Sequence, residues 1–126
     1  MTESFKLEHI DMTAPRTELH NLLGLTGCEV SVNNLPAGAA VPFVHSHKQN
    51  EELYAVLAGK GELYIDGKVV ELKAGDWFRI DPEGRRAIRA AADSSLTTIC
   101  IQTRKGSLQG FTMTDGVVLE EKAPWH

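Results

Sequence analysis

The sequence predicts an all-β fold, an antiparallel barrel entered through one short helix. Three observations carry that prediction. From Cys28 onward the chain breaks into short β-rich segments separated by clusters of Gly, Pro, Asn and Asp, at the spacing of a sandwich or barrel. Between two of those segments stands Asp66-Gly67, a two-residue hairpin signal in which both central residues take positive φ. A helical period occurs once, near the start, where Leu19, Leu22 and Leu23 fall at i, i+3 and i+4 behind Pro15, and Gly24 offers a C-terminal stop.

Taken in order, the predicted strands are 28–33, 43–48, 52–57, 62–66, 68–72, 77–80, 87–91 and 96–103, enough to close a small barrel. The break Leu35-Pro36-Ala37-Gly38 separates the first two. Gly59-Lys60-Gly61 reads as a tight turn tolerant of positive φ, and with Asp66-Gly67 it pairs sequential neighbours. The tail from Gly106 to His126 is weakly patterned, and Val117-Val118-Leu119 reads as one last strand added to an edge.

With 126 residues, 13.8 kDa and 42% hydrophobic residues, the chain has room for one domain, 1–126, with its barrel core at about 28–104. Folding buries roughly two thirds of the surface of an unfolded chain this long, so no disulfide or metal staple is required. A metal, if bound, is therefore functional before it is structural. Thirteen Lys+Arg against 17 Asp+Glu give a formal charge of -4, which lacks the broad basic field of a nucleic-acid binder. No apolar run approaches the roughly 20 residues that span a bilayer, and MTESFKLEHI has neither the basic start nor the apolar middle of a signal peptide. The expected location is the cytoplasm, with no membrane partner. Cys28 and Cys100 share no CxxC spacing and are expected to be free thiols in a reducing compartment.

His9, His20 and His126 are scattered, but His45 and His47 sit two apart inside a predicted strand, and a period of two puts both on one face. Glu52, at the start of the next strand, can return a carboxylate to the same place. Two histidines and one carboxylate suit Fe(II), Mn(II), Ni(II), Co(II) or Zn(II) and leave coordination positions open for water or substrate. On spacing alone, the alternative of packed or surface histidines stays open.

The surrounding residues narrow it. The stretch 38–59, GAAVPFVHSHKQNEELYAVLAG, resembles the first signature motif of the cupin superfamily, and His45, His47, Glu52 and Gly59 match it position for position. Gly38 is displaced by one residue from the commonest spacer. Gly75-Asp76, with the turn Pro82-Glu83-Gly84, resembles the second motif, with one extra residue before the proline. Where that motif places a fourth ligand, a histidine, this chain has Ala87. The phrases PFVHSHKQNEELY, PxGxR and CIQ resemble those of small single-domain bacterial cupins. The resemblance implies an antiparallel jelly-roll barrel, a metal or small molecule inside it, and frequently a homodimer. It implies no single reaction, because cupins range from dioxygenases and isomerases to storage and sugar-binding domains.

Further candidates follow from strand alternation. Tyr54 shares the inward face of Glu52 and can donate a hydrogen bond into a pocket, while Glu51 is the solvated neighbour. Arg85 and Arg86 can offer a guanidinium fork to a carboxylate or phosphate, with one of the two pointing outward. Arg79 and Arg89 fit a solvated face. Cys100 and Gln102 lie on one face of the last long strand, as extra metal ligands or as a packed thiol and a polar wall residue. Of Trp77 and Phe78, one is expected in the core and one at the surface. The function expected is a metal-dependent, dioxygenase-like enzyme with one divalent ion and a small anionic metabolite. The alternatives are a non-catalytic small-molecule binding or sensing barrel, or a structural barrel.

Overall fold

The computed structural model describes residues 4–111 and 114–125; His126 lies outside them. Among the described residues seven strands and one helix follow in the order β1 (Arg16–Glu18), α1 (His20–Leu23), β2 (Glu29–Leu35), β3 (Asn50–Ile65), β4 (Lys68–Lys73), β5 (Trp77–Ile80), β6 (Arg86–Ala90) and β7 (Leu96–Arg104). Every pairing is antiparallel. The sheet runs β1-β2-β7-β3-β4, and β5 and β6 also pair with β3.

The longest strand, β3, organises the barrel. Its first half pairs with β7 and β5, and its second half with β4 and β6. A register shift between Val56 and Ala58 marks the corner, and bulges of this kind bend a strand and raise its twist. Gly59-Lys60-Gly61 is therefore not a turn, as the sequence suggested, but the corner of one 16-residue strand. Its glycines serve close approach: a Cβ on Gly59 would meet the Ser95 carbonyl oxygen at 1.8 Å, and one on Gly61 the Arg89 carbonyl oxygen at 2.3 Å. Asp66-Gly67 does form the hairpin, with φ of 49° and 91° between the paired residues Ile65 and Lys68.

Two expected strands are absent from the described structure. Residues 43–48 make only an isolated bridge at His45, because Pro42 has no N–H to continue a ladder along β6. Residues 117–119 form no strand and are exposed. Conversely, the three-residue β1 extends the sheet beyond β2 through the pair Arg16↔Asn33. The predicted helix is there, four residues long, closed by Gly24 in the left-handed region. Glu29 anchors its start, Oε1 accepting the backbone N–H groups of Leu19 at 3.1 Å and His20 at 2.9 Å.

The core is Val56, Leu63, Leu72, Ile80, Ala90 and Leu96, with Leu35, Tyr54, Ile65, Phe78 and Ile88 packed against it. Among the described residues no helix is long and apolar enough to cross a membrane.

Candidate metal centre

Inside the barrel the register stacks side chains in rungs. Glu29, Gln102, Glu52 and Ile80 share one, and Ser31, Cys100, Tyr54 and Phe78 the next. The segment 41–47 closes the other side, running along β6. Val41 N–H donates to Ile88 O at 3.0 Å, His45 and Arg86 exchange backbone bonds of 3.1 and 3.0 Å, and His47 N–H donates to Pro82 O at 2.8 Å. Residues that exchange both bonds across an antiparallel pair send their side chains to the same face. That is why Arg86 joins His45 in the interior, while Ala87, one residue on, touches the cavity wall but offers no ligand atom.

One ligand atom each from His45, His47 and Glu52 falls within 4.8 Å of the other two. Glu52 is 4% exposed. Its Oε1 accepts from Arg86 Nη1 at 3.1 Å, and its Oε2 lies 3.2 Å from His47 Nε2, off the axis of a hydrogen bond. Arg86, 2% exposed, is held by a second bond of 2.7 Å from Nη2 to the Asp81 carbonyl. His45 Nδ1 and His47 Nε2 are buried without a hydrogen-bond partner. Buried ring nitrogens are normally satisfied, so two orphans beside one carboxylate fit a divalent transition metal. Burial holds the His45 pKa below its ordinary value, with Arg86 and His47 acting in the same sense and Glu52 against it. The ring therefore stays neutral, the form that binds metals, at neutral pH.

Residues 31–102, more than half of the chain, match the Cupin domain family. This chain belongs to the cupins. A cupin protein of Bacteroides fragilis, known from its crystal structure, is 58% identical over 94% of this chain and 99% of its own, with a TM-score of 0.91. A predicted oxalate decarboxylase of Thermotoga maritima is 27% identical over 61% of this chain and 64% of its own, with a TM-score of 0.54. Among curated proteins, an uncharacterized protein of Methanocaldococcus jannaschii is 30% identical over 66 residues, 52% of each chain. The matched stretch spans at most about half the length of the curated relatives.

The centre opens into a cavity of about 500 Å³. Tyr54 lines it, its ring stacked on Phe78 at a centroid distance of 5.0 Å. Cys100 also lines it, the cross-strand neighbour of Tyr54, outside the convergent group of three. Burial, then the Glu52 charge, pushes the Cys100 thiol up to about 12, and burial likewise raises Tyr54, so both remain protonated donors. Gln102 is a wall residue whose Oε1 accepts from Asn50 Nδ2 at 2.7 Å.

Arg85 is the correction among the expected substrate binders. It lies outside this cupin's cavity, its backbone N–H bonded to Asp66 Oδ1 at 2.8 Å and its guanidinium 3.5 Å from the same carboxylate. Arg79 pairs with Asp81 and Arg89 with Glu62 on the exterior, Trp77 is exposed, and Phe78 points inward. Sequence reasoning missed the polar wall of β2 and β7, where Ser31, Asn33 and Thr98 line the cavity. The alternation Glu29, Ser31, Asn33 was its signal. It also missed Arg16, which no pattern marks, because β1 exists only by pairing with β2.

Proposed function

We propose that this cupin holds one divalent transition-metal ion (Fe, Mn, Ni, Co or Zn) on His45, His47 and Glu52 and takes up a small anionic metabolite beside it, with dioxygenase-like oxidation as the reaction. The observation that carries this reading is the pair of unpartnered buried ring nitrogens facing a buried carboxylate at the wall of a cavity. When bound, such an ion polarises an oxygen of whatever fills its open positions.

The chain's own residues supply the setting. Arg86 stands on β6 where it faces the ligands, and a guanidinium donates hydrogen bonds but cannot ligate a metal. It therefore holds Glu52 Oε1, leaving Oε2 for the ion, and its unpartnered Nε is a donor for an anionic substrate. Tyr54 and Cys100, kept protonated, donate and do not accept protons, and Glu29, the other carboxylate on this wall, has its Oε1 engaged by the backbone N–H groups of Leu19 and His20. The free cysteines Cys28 and Cys100 suit the reducing cytoplasm, and the exposed Leu53, Leu57 and Trp77 on the outer face suit a homodimer, which sedimentation tests.

Metal analysis of natively purified protein tests the core of this reading. It should give about one transition-metal ion per chain, lost in His45→Ala. Protein that stays metal-free after expression in supplemented medium overturns it.

One observation favours a second reading. The Arg86–Glu52 pair satisfies the carboxylate without an ion, which suits a non-catalytic small-molecule binding barrel. Thermal stabilisation by an anion that survives chelation would select this alternative.

A further inference from the structure

The cavity carries a second arginine. Arg16 lines it from β1, half exposed at its open edge, while Arg86 is buried at the ligand end. Arg16 is pre-oriented: Nη1 donates to Asn33 Oδ1 at 2.6 Å, and Nε and Nη2 donate to Glu18 Oε2 at 3.1 and 2.9 Å. Three of its N–H groups are thus used, and a guanidinium has five. The Glu18 pair is exposed, and exposed pairs are weak enough for an incoming anion to compete.

Two cationic ends then shape the ligand. The ionised residues lining the cavity are Arg16 and Arg86 against Glu29 and Glu52, which cancel. A divalent ion on the histidines tips the ligand end positive in a space walled on one side by Val41, Phe43, Leu63 and Ile88, and one acid group answers it there. At the open end Glu18, outside the lining, already pairs with Arg16, so a second acid group gains by displacing this exposed and weakly held partner.

We infer that the substrate is an extended dianion, one acid group at the ion beside Arg86 and the other on the free N–H groups of Arg16, with the apolar wall against its carbon chain. This rests on the metal site proposed above. The pair Arg16↔Asn33 lies two same-face rungs from Glu29, the rung of Glu52, or about 13 Å along the strands before the side chains reach inward. After that reach, a diacid of roughly five to seven carbons spans the gap.

The test is titration of the full-length protein loaded with Co(II), whose visible spectrum reports both occupancy and coordination. The probes are glutarate, adipate and pimelate against pentanoate, hexanoate and heptanoate. At least one diacid should bind about tenfold more tightly than the monoacid of equal length, and Arg16→Gln should remove that preference while leaving the Co(II) spectrum and monoacid affinity unchanged. Arg79→Gln, on the outer face, should keep the preference. Equal binding of diacids and monoacids, or a preference that survives Arg16→Gln, overturns the inference with the metal site intact. Failure of Co(II) to bind at all overturns the metal site and the inference together.

Discussion

Arg86 shows how much one residue's phase along a strand decides. A guanidinium paired with Glu52 at 3.1 Å and 2% exposed has lost its water, and the carboxylate it faces has lost its own. Removing one member leaves an uncompensated buried charge. Arg86→Met should therefore cost about 3–5 kcal/mol of unfolding free energy in urea titrations, and adding Glu52→Leu should recover most of it. A double variant as unstable as the single one would show that Arg86 acts through packing. The sequence announced His45, His47 and Glu52 through their spacing, but it could not separate Arg85 from Arg86. Adjacent residues always differ in face, and which of them points inward is set by the bond partner, here His45 across the gap.

At the scale of elements, β3 is the case to consider. Two predicted strands with a glycine turn between them turned out to be one strand that passes from one set of partners to another. The same glycines serve a turn and a corner, and only the neighbours tell them apart: the Ser95 and Arg89 carbonyls lie where side chains would be. Gly59→Ala should destabilise the protein by at least about 2 kcal/mol, because it adds a backbone clash to an unfavourable φ of 83°. Gly67→Ala, with open space and a φ of 91°, should show the smaller cost of φ alone, and equal losses would deny the corner its steric role. The edge segments were less legible than the centre. Residues 43–48 and β1 hold their places through a few bonds to distant strands, and a local pattern carries little information about those.

Over the whole molecule, the core of β3, β4, β5, β6 and β7 side chains includes none of the candidate ligands, so the barrel should keep its far-UV circular dichroism and cooperative unfolding after chelation. The pH dependence of that metal-free protein is set by shifted groups. His45, its folded pKa lowered from 6.5, binds fewer protons folded than unfolded, so stability falls as pH drops below about 6.5. Cys100, raised from 9.0 to about 12, binds more protons folded than unfolded, so stability falls again as pH climbs above about 9. Denaturant titrations should therefore show a plateau between those limits; a maximum outside it would contradict the burial of these groups. By itself the sequence determined the fold class, the family, the hairpin at Asp66-Gly67 and the three candidate ligands, because period and spacing are local and survive in one dimension. Only the tertiary structure decided that Arg86 faces Glu52, that Arg85 does not, and that Arg16 reaches the cavity. Those facts depend on which strands meet and in what register, and register is fixed by contacts between residues tens of positions apart.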